Sequence, residues 1–551
     1  MPTITFSLND LQELIGKRLS IDELKELLFY CKAEFDGYDK ESDEVKADFG
    51  DTNLPYLWSV EGVARLLKGV LNLDKGIPNL KLNKADYKVI VDKSVKKIRP
   101  YIAAFVAKDQ MINEKLLMQM IQLQEKLCEN YGRKRKKVSI GLYSYKRIKF
   151  PVHYKAVNPE SIKFVPLEFN KELDLNQILE QHPKGIEYAR ILKGFDKYPI
   201  LVDDKDEVLS FPPIINSNFS GKIEVGDEEL FFEVTGDDQD AILLATNIFS
   251  QALLERSFKI YSVDIKYPDK KIVTPFLFND KIKLNKDKIK ELLGLDLKDP
   301  EIKNLIERAR YDYSKGVVQI PHYRKDILHQ FDVIEDIGIM YDYNKIEELP
   351  LESYTIGETL PMVEFVDKAR ELIVGYGCQE VMSPMLSNKE LLYKKMNCED
   401  FGTVEISKYV SKTYSVVRTW LLPVLMDFLS KNKHVEYPQK IFEQGTVTVR
   451  KEDKVTDYER LGVISAHAEA DFTEIKKVLD GLTRAFGVTY TIEDTKHSSF
   501  INGRVGRVIV KGKKVAYIGE INPKVLENFG IEVPVVGLEI NLSELFEAVK
   551  K

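Results

Sequence analysis

The stretch PHYRKDILHQFDVIEDIGIMYDY, residues 321–343, sets four carboxylates close together: Asp326, Asp332, Glu335 and Asp336. The last three fall at i, i+3 and i+4. Read as a helix over 327–341, turning about 100° per residue, the segment puts Ile327, Phe331, Ile334, Ile337 and Tyr341 on one face. Asp332, Glu335 and Asp336 then gather on roughly the opposite face, and Asp326 stands at the start as an N-cap. Like charges three and four apart cost about a few tenths of a kcal/mol each. A hard cation would offset that repulsion. Oxygen ligands without His or Cys suit magnesium in octahedral coordination and do not suit zinc. A solvated helix face with an N-cap is the simpler reading of the same residues.

The elements that must hold such a cluster belong to a chain too long for one core. It has 551 residues, 44% hydrophobic and 30% charged, with a net charge of −6. Several globular domains are expected. No apolar run is long enough to cross a membrane, and the start, MPTITFSLNDLQELIG, matches neither a signal nor a transit peptide, so a cytoplasmic chain is expected. Cys31, Cys128, Cys378 and Cys398 lie far apart, which argues against both a zinc site and a disulfide framework. Four domains are expected: an N-terminal α+β domain over 1–88, an α+β domain over 89–268, a small helix-rich domain over 269–347, and a mostly antiparallel sheet with helices over 348–551. In the first, Ser20 and Glu23 have the spacing of a capping box. In the second, DYKVIVDKSVKKIRPYIAAFVAKD alternates as strands do. NEKLLMQMIQLQEKLCENYG then reads as a long helix and YPILVDDKDEVLSFPPIIN as a hairpin. ELFFEVTG reads as a buried strand. The basic run GRKRKKV follows the long helix.

No P-loop, GxGxxG, HExxH or GxSxG motif is present. The stretch 321–343 with its continuation NKI nevertheless closely resembles the strand–helix signature of the phenylalanine–tRNA ligase beta-subunit family, archaeal and eukaryotic type. LQEKLCENYGRKRKKVSIGLY, HPKGIEYARIL, LSFPPIINSN, YSVVRTWLLPVLMDFL, AHAEADFTEIKKVLDGL and YIGEINPKVLENFGI resemble further segments of it, in the same order. The resemblance implies a subunit of an α2β2 ligase whose alpha chain attaches phenylalanine to its tRNA at the expense of ATP. It implies that the 89–268 domain hydrolyses mischarged tyrosyl-tRNA. The pocket would be formed by Leu201, Ser210, Asn216, Glu233 and Thr235, with Gln124 and basic residues near Arg133 facing the tRNA end. It also implies magnesium at Asp326, Asp332, Glu335 and Asp336, where the alpha subunit docks. Glu233 and Thr235, two apart on one strand, share a face as a common pocket requires. The family often has Asp in place of Glu233. Near residue 53 the family usually shows Asn-Arg-Pro-Asp, whereas this chain has Leu54 and Tyr56 in the charged positions.

The resemblance makes the 348–551 domain a class II synthetase core, and the residues test whether it kept its chemistry. Such a core needs an Arg on a strand, in a pattern like F-R-x-E, and a second Arg late in the chain, to hold ATP phosphates. Here Phe442 and Glu443 are adjacent, and no Arg follows Arg507. A class II shell without an ATP site is therefore expected, with Pro384 kept in a dimerisation element. His182 is expected to be structural. The rival readings are a scaffold or RNA-binding subunit with an inactive editing site, and an autonomous metal-dependent enzyme built on the acidic cluster.

Overall fold

Local signals form as their chemistry dictates. Ser20 caps the helix Ile21–Phe29, and Glu23 reaches back to the Ser20 N–H at 2.7 Å, closing the capping box. Leu24 and Leu28 of that helix are buried. In the computed structural model, which describes residues 2–351 and 353–550, the chain divides into two compact units, Met1–Leu349 and Pro350–Lys551. Both are mixed α/β structures.

The first unit begins with a three-stranded antiparallel sheet made of Thr3–Ser7, Ala33–Asp39 and Glu44–Phe49. Its main feature is a ten-stranded sheet. The strand order is Ile215–Asn216, Val208–Phe211, Tyr198–Val202, Val152–Val157, Leu82–Val91, Lys259–Lys266, Tyr101–Lys108, Leu230–Gly236 and Ser139–Ser144. Lys271–Thr274 pairs with Lys259–Lys266 off this path. The sequence predicts an alternating strand at Tyr101–Lys108, but Ile102–Ala107 are buried on both faces. The strand lies inside the sheet, between Leu230–Gly236 and Lys259–Lys266, so neither face meets water. Leu230–Gly236 is likewise buried along its whole length. Phe232 and Val234 pack into one core with the helix Gln239–Glu255, while Phe231 packs into the core on the other face.

The two ends of this sheet, Ile215–Asn216 and Ser139–Ser144, are remote in strand order but adjacent in space. The Ser144 N–H donates to the Ser220 carbonyl at 3.2 Å, and Asn216 Nδ2 donates to the Leu142 carbonyl at 3.3 Å. The sheet curls on itself, and its seam is closed by side chains and loops.

Residues 281–341 of the same unit carry the helices Lys286–Leu293, Asp299–Arg308 and Gln330–Tyr341 beside a three-stranded sheet. The last helix starts later than its sequence suggests. Its N-cap is His329, not Asp326, and it is Asp332 that reaches back to the N–H groups of Leu328 and His329, both at 2.7 Å. Its buried face is Val333, Ile334, Ile337 and Met340, whereas Phe331, expected inside, is 45% exposed.

The second unit holds a seven-stranded sheet in the order Gln379–Glu380, Gln439–Lys451, Lys454–Ala466, Val535–Asn541, Lys513–Ile521, Phe500–Val510 and Thr491–Asp494. Every pairing is antiparallel except the first. The helices Pro361–Gly375, Phe472–Ala485 and Leu542–Val549 share a core with it.

Candidate functional site

At the seam of the curled sheet lies a cavity of about 270 Å³. Glu233 forms part of its wall and is 2% exposed. Its strand neighbours are small, Ala104 on one side and Gly141 on the other. A Cβ at Gly141 would overlap the Tyr143 hydroxyl and Glu233 Oε1, so only glycine leaves room for those two to meet. The Tyr143 hydroxyl stands 2.9 Å from Glu233 Oε1 and 2.8 Å from the Ser210 hydroxyl. One phenol thus joins three strands, two of them from opposite ends of the sheet.

The second carboxyl oxygen, Glu233 Oε2, is buried and has no hydrogen-bond partner. Burial pushes the Glu233 carboxyl up to about 7, against the opposing pull of the Tyr143 hydrogen bond and the Arg99 charge. A carboxyl balanced near neutrality, with one oxygen unpaired, can either give or receive a hydrogen bond. A ligand hydroxyl at that oxygen would satisfy a group whose isolation is otherwise costly.

Of the residues expected at the pocket, the structure brings four to the cavity wall: Gln124, Ser210, Asn216 and Glu233. Gln124 Nε2 is held by the Ile140 carbonyl at 2.8 Å. The other three lie elsewhere. Leu201 is fully buried in the core beside Val152 and Tyr154. Thr235 faces the same way as Glu233, but its hydroxyl accepts from Arg99 Nε at 2.9 Å. Arg133 is exposed. Two residues along, Arg135 takes the place at the wall. It donates to the carbonyls of Ile214 at 2.8 Å and Pro213 at 3.3 Å, and its guanidinium lies 4.4 Å over the Tyr188 ring.

The backbone that carries it is unusual. The helix Glu114–Lys126 ends in a π-turn at Leu127–Tyr131, and then Arg133, Lys134 and Arg135 all adopt positive φ, at 51°, 53° and 63°. Each non-glycine residue there costs on the order of 1–2 kcal/mol. Such strain persists only where the surroundings impose it. A second cavity, of about 470 Å³, is lined by Tyr188 and Glu129 and shares Gln124, Arg135 and Lys184 with the first. Arg135 is among the basic residues near Arg133 that the sequence places at the tRNA end, whereas Tyr143 and Lys184 are not singled out by sequence reasoning; Gly141, two residues before Tyr143, is the available signal for the first. His182 is structural: its Nε2 is 3.1 Å from the Leu167 carbonyl and its Nδ1 accepts from the Lys184 N–H.

The four carboxylates of the acidic cluster do not converge. Arg324, 5% exposed, occupies the space between two of them. Its Nη1 donates to Asp336 at 2.7 Å, and its Nε donates to Asp326 at 3.1 Å. Asp336 also accepts from the Tyr311 hydroxyl at 2.5 Å. Asp332 is spent on the helix cap, and Glu335 faces outward to Lys32 at 2.7 Å. Among the described residues no group of three or more His, Cys, Asp or Glu is placed to hold a metal. In the chain by itself, Arg324 therefore pairs with two of the four carboxylates. Tyr56, in the position where a family charge is missing, lays its ring 5.0 Å from the Arg324 guanidinium.

In the second unit an arginine does reach the Phe442–Glu443 strand, but from outside it. Arg418, 3% exposed, pairs with Glu443 and donates to the Ser383 hydroxyl and the Thr446 carbonyl, both at 3.0 Å. A Cβ at Gly445 would overlap its guanidinium. Its Nε and Nη1 are thus engaged by protein groups.

The chain matches two family models. Residues 347–542 match the phenylalanyl tRNA synthetase beta chain CLM domain, and residues 282–343 match the tRNA synthetase B5 domain. It is 45% identical to the phenylalanine–tRNA ligase beta subunit of Pyrococcus abyssi, over 99% of this chain and 100% of that one. It is 37% identical to that of Borreliella burgdorferi, over 99% of each. Among solved structures, an N-terminal fragment of the phenylalanyl-tRNA synthetase beta subunit from Pyrococcus horikoshii superposes with a TM-score of 0.60 at 41% identity, covering 62% of this chain and 99% of the fragment. Sequence identity of that order along its whole length means that this chain belongs to the phenylalanine–tRNA ligase beta-subunit family.

Proposed function

We propose that this chain is the beta subunit of a phenylalanine–tRNA ligase, working with an alpha subunit in an α2β2 complex that charges the tRNA for phenylalanine. We place the synthetic site on the alpha chain. Its own chemistry, in this reading, is proofreading: hydrolysis of tyrosyl-tRNA formed in error. The observation that carries this is the unpaired, buried Glu233 Oε2 in the wall of the seam cavity. Tyrosine differs from phenylalanine by one hydroxyl. A buried polar group that pairs with that hydroxyl stays unpaired when phenylalanine enters, which is how a site can reject the analogue strongly. The lack of an Arg between Phe442 and Glu443, and of any Arg after Arg507, supports a second unit of class II type without an ATP site.

The test is deacylation by the complex. It should hydrolyse tyrosyl-tRNA for phenylalanine and spare the phenylalanyl form. Glu233→Ala should abolish the distinction and leave phenylalanine charging near the parent rate. Editing of tyrosine at the parent rate by that variant would refute the assignment. Magnesium at Asp326, Asp332, Glu335 and Asp336 is a separate proposal, confined to the assembled complex. Because Arg324 already engages two of these groups, it requires ligands from the alpha chain and release of that arginine.

A further inference from the structure

Arg99 is 3% exposed and, among the described residues, no carboxylate hydrogen-bonds to it. A buried guanidinium left without a counter-ion is expensive, so its donors must be used well. Nε donates to the Thr235 hydroxyl at 2.9 Å, and Nη2 to the Thr235 carbonyl at 2.6 Å. Nη2 also donates to the Arg135 carbonyl at 3.1 Å, and Nη1 to the Lys136 carbonyl at 2.8 Å. One planar fork therefore binds the Glu233 strand to the end of the left-handed turn. The turn needs such a hold, since Arg133, Lys134 and Arg135 are all in the left-handed region. Arg135 in turn reaches across to the carbonyls of Pro213 and Ile214 on the far wall of the cavity.

We infer that Arg99 is a positioning residue for the hydrolysis. It locks the turn Arg133–Arg135 onto the Glu233 strand, so that Arg135 spans the cavity mouth in a fixed place when the aminoacylated end of a tRNA enters. The inference rests on the editing reading above. Lysine cannot replace the fork, because an ammonium lacks the planar pair of edges that meets two chain segments at once. The turn would then be held at one end only, and its intrinsic strain would release it.

The experiment uses the α2β2 complex with parent, Arg99→Met, Arg99→Lys and Glu233→Ala beta chains. It measures kcat and KM for tyrosyl-tRNA deacylation, phenylalanine charging, and amide exchange across 133–137. Arg99→Met should lower the deacylation kcat at least tenfold, with Arg99→Lys between it and the parent. Both should charge phenylalanine at the parent rate and exchange the 133–137 amides faster. If Arg99→Met does not fold, Thr235→Val serves, since it deletes one acceptor of the fork at nearly constant shape. It should move kcat and exchange in the same direction by less. Parent kcat and slow exchange in these variants, with editing lost in Glu233→Ala, would overturn the role of Arg99 and leave the editing reading standing. Parent editing in Glu233→Ala would overturn both.

Discussion

The Glu233 carboxyl makes stability depend on pH in a calculable way. Burial raises it from its ordinary 4.5 to about 7 in the folded chain. In the unfolded chain it ionises near the ordinary value. Below 4.5 the group is protonated in both states and costs nothing. Between 4.5 and 7 the unfolded chain has released the proton while the folded chain still holds it, so stability falls as pH rises through this window; above 7 both states are ionised and the loss is complete. Each tenfold change in proton affinity is worth about 1.4 kcal/mol, so the full penalty above pH 7 is roughly 3 kcal/mol. Glu233→Gln keeps the size and the acceptor for Tyr143 but cannot ionise. The variant should match the parent in denaturant unfolding at pH 4 and exceed it by roughly 3 kcal/mol at pH 8.5. Unfolding midpoints and slopes at both values measure this directly. A gain of equal size at pH 4 and pH 8.5, or none at either, would refute the assignment of a buried, unpaired carboxyl.

The remaining predictions concern the neighbours of that group and the acidic cluster. Gly141→Ala should force Tyr143 and Glu233 apart, because the new methyl overlaps both, and should weaken tyrosyl-tRNA deacylation more than it weakens phenylalanine charging. Arg324→Met leaves Asp326 and Asp336 buried together without their cation, and unfolding should show a loss on the order of 3–5 kcal/mol; adding Asp326→Asn and Asp336→Asn should recover part of it. The chain without its partner should gain no thermal stability from millimolar magnesium, whereas Arg324→Met should gain some, because only the variant frees two carboxylates; equal shifts in both would count against the guanidinium-centred arrangement. Ser20→Ala should cost about 1 kcal/mol, read as a shift in unfolding midpoint at unchanged slope.

Much was legible in the sequence where the cause is local. The Ser20–Glu23 capping box depends on residues three apart, and it forms. The hairpin around Asp203–Asp206 joins Tyr198–Val202 to Val208–Phe211 as its turn residues direct. The buried strand at Leu230–Gly236 follows from its apolar content. The two-residue period of a strand also puts Glu233 and Thr235 on one face.

Whether two residues on one face share one site is another matter, because it depends on what arrives from elsewhere in the chain. Thr235 was claimed by Arg99, 136 positions away, and Ser210 was joined to Glu233 through Tyr143, which no spacing rule connects. The cavity exists because the sheet curls until its terminal strands meet, and curling is a property of the whole sheet that no single strand carries. The acidic cluster shows the same division. The sequence shows four negative charges in one stretch. It could not say that Arg324, inside the same stretch, would fold back between Asp326 and Asp336 while Asp332 capped a helix and Glu335 turned to Lys32. Charge type and spacing are fixed along the chain, but the partner of each charge is chosen by burial. Only the folded core decides which groups lose water together and must therefore satisfy one another.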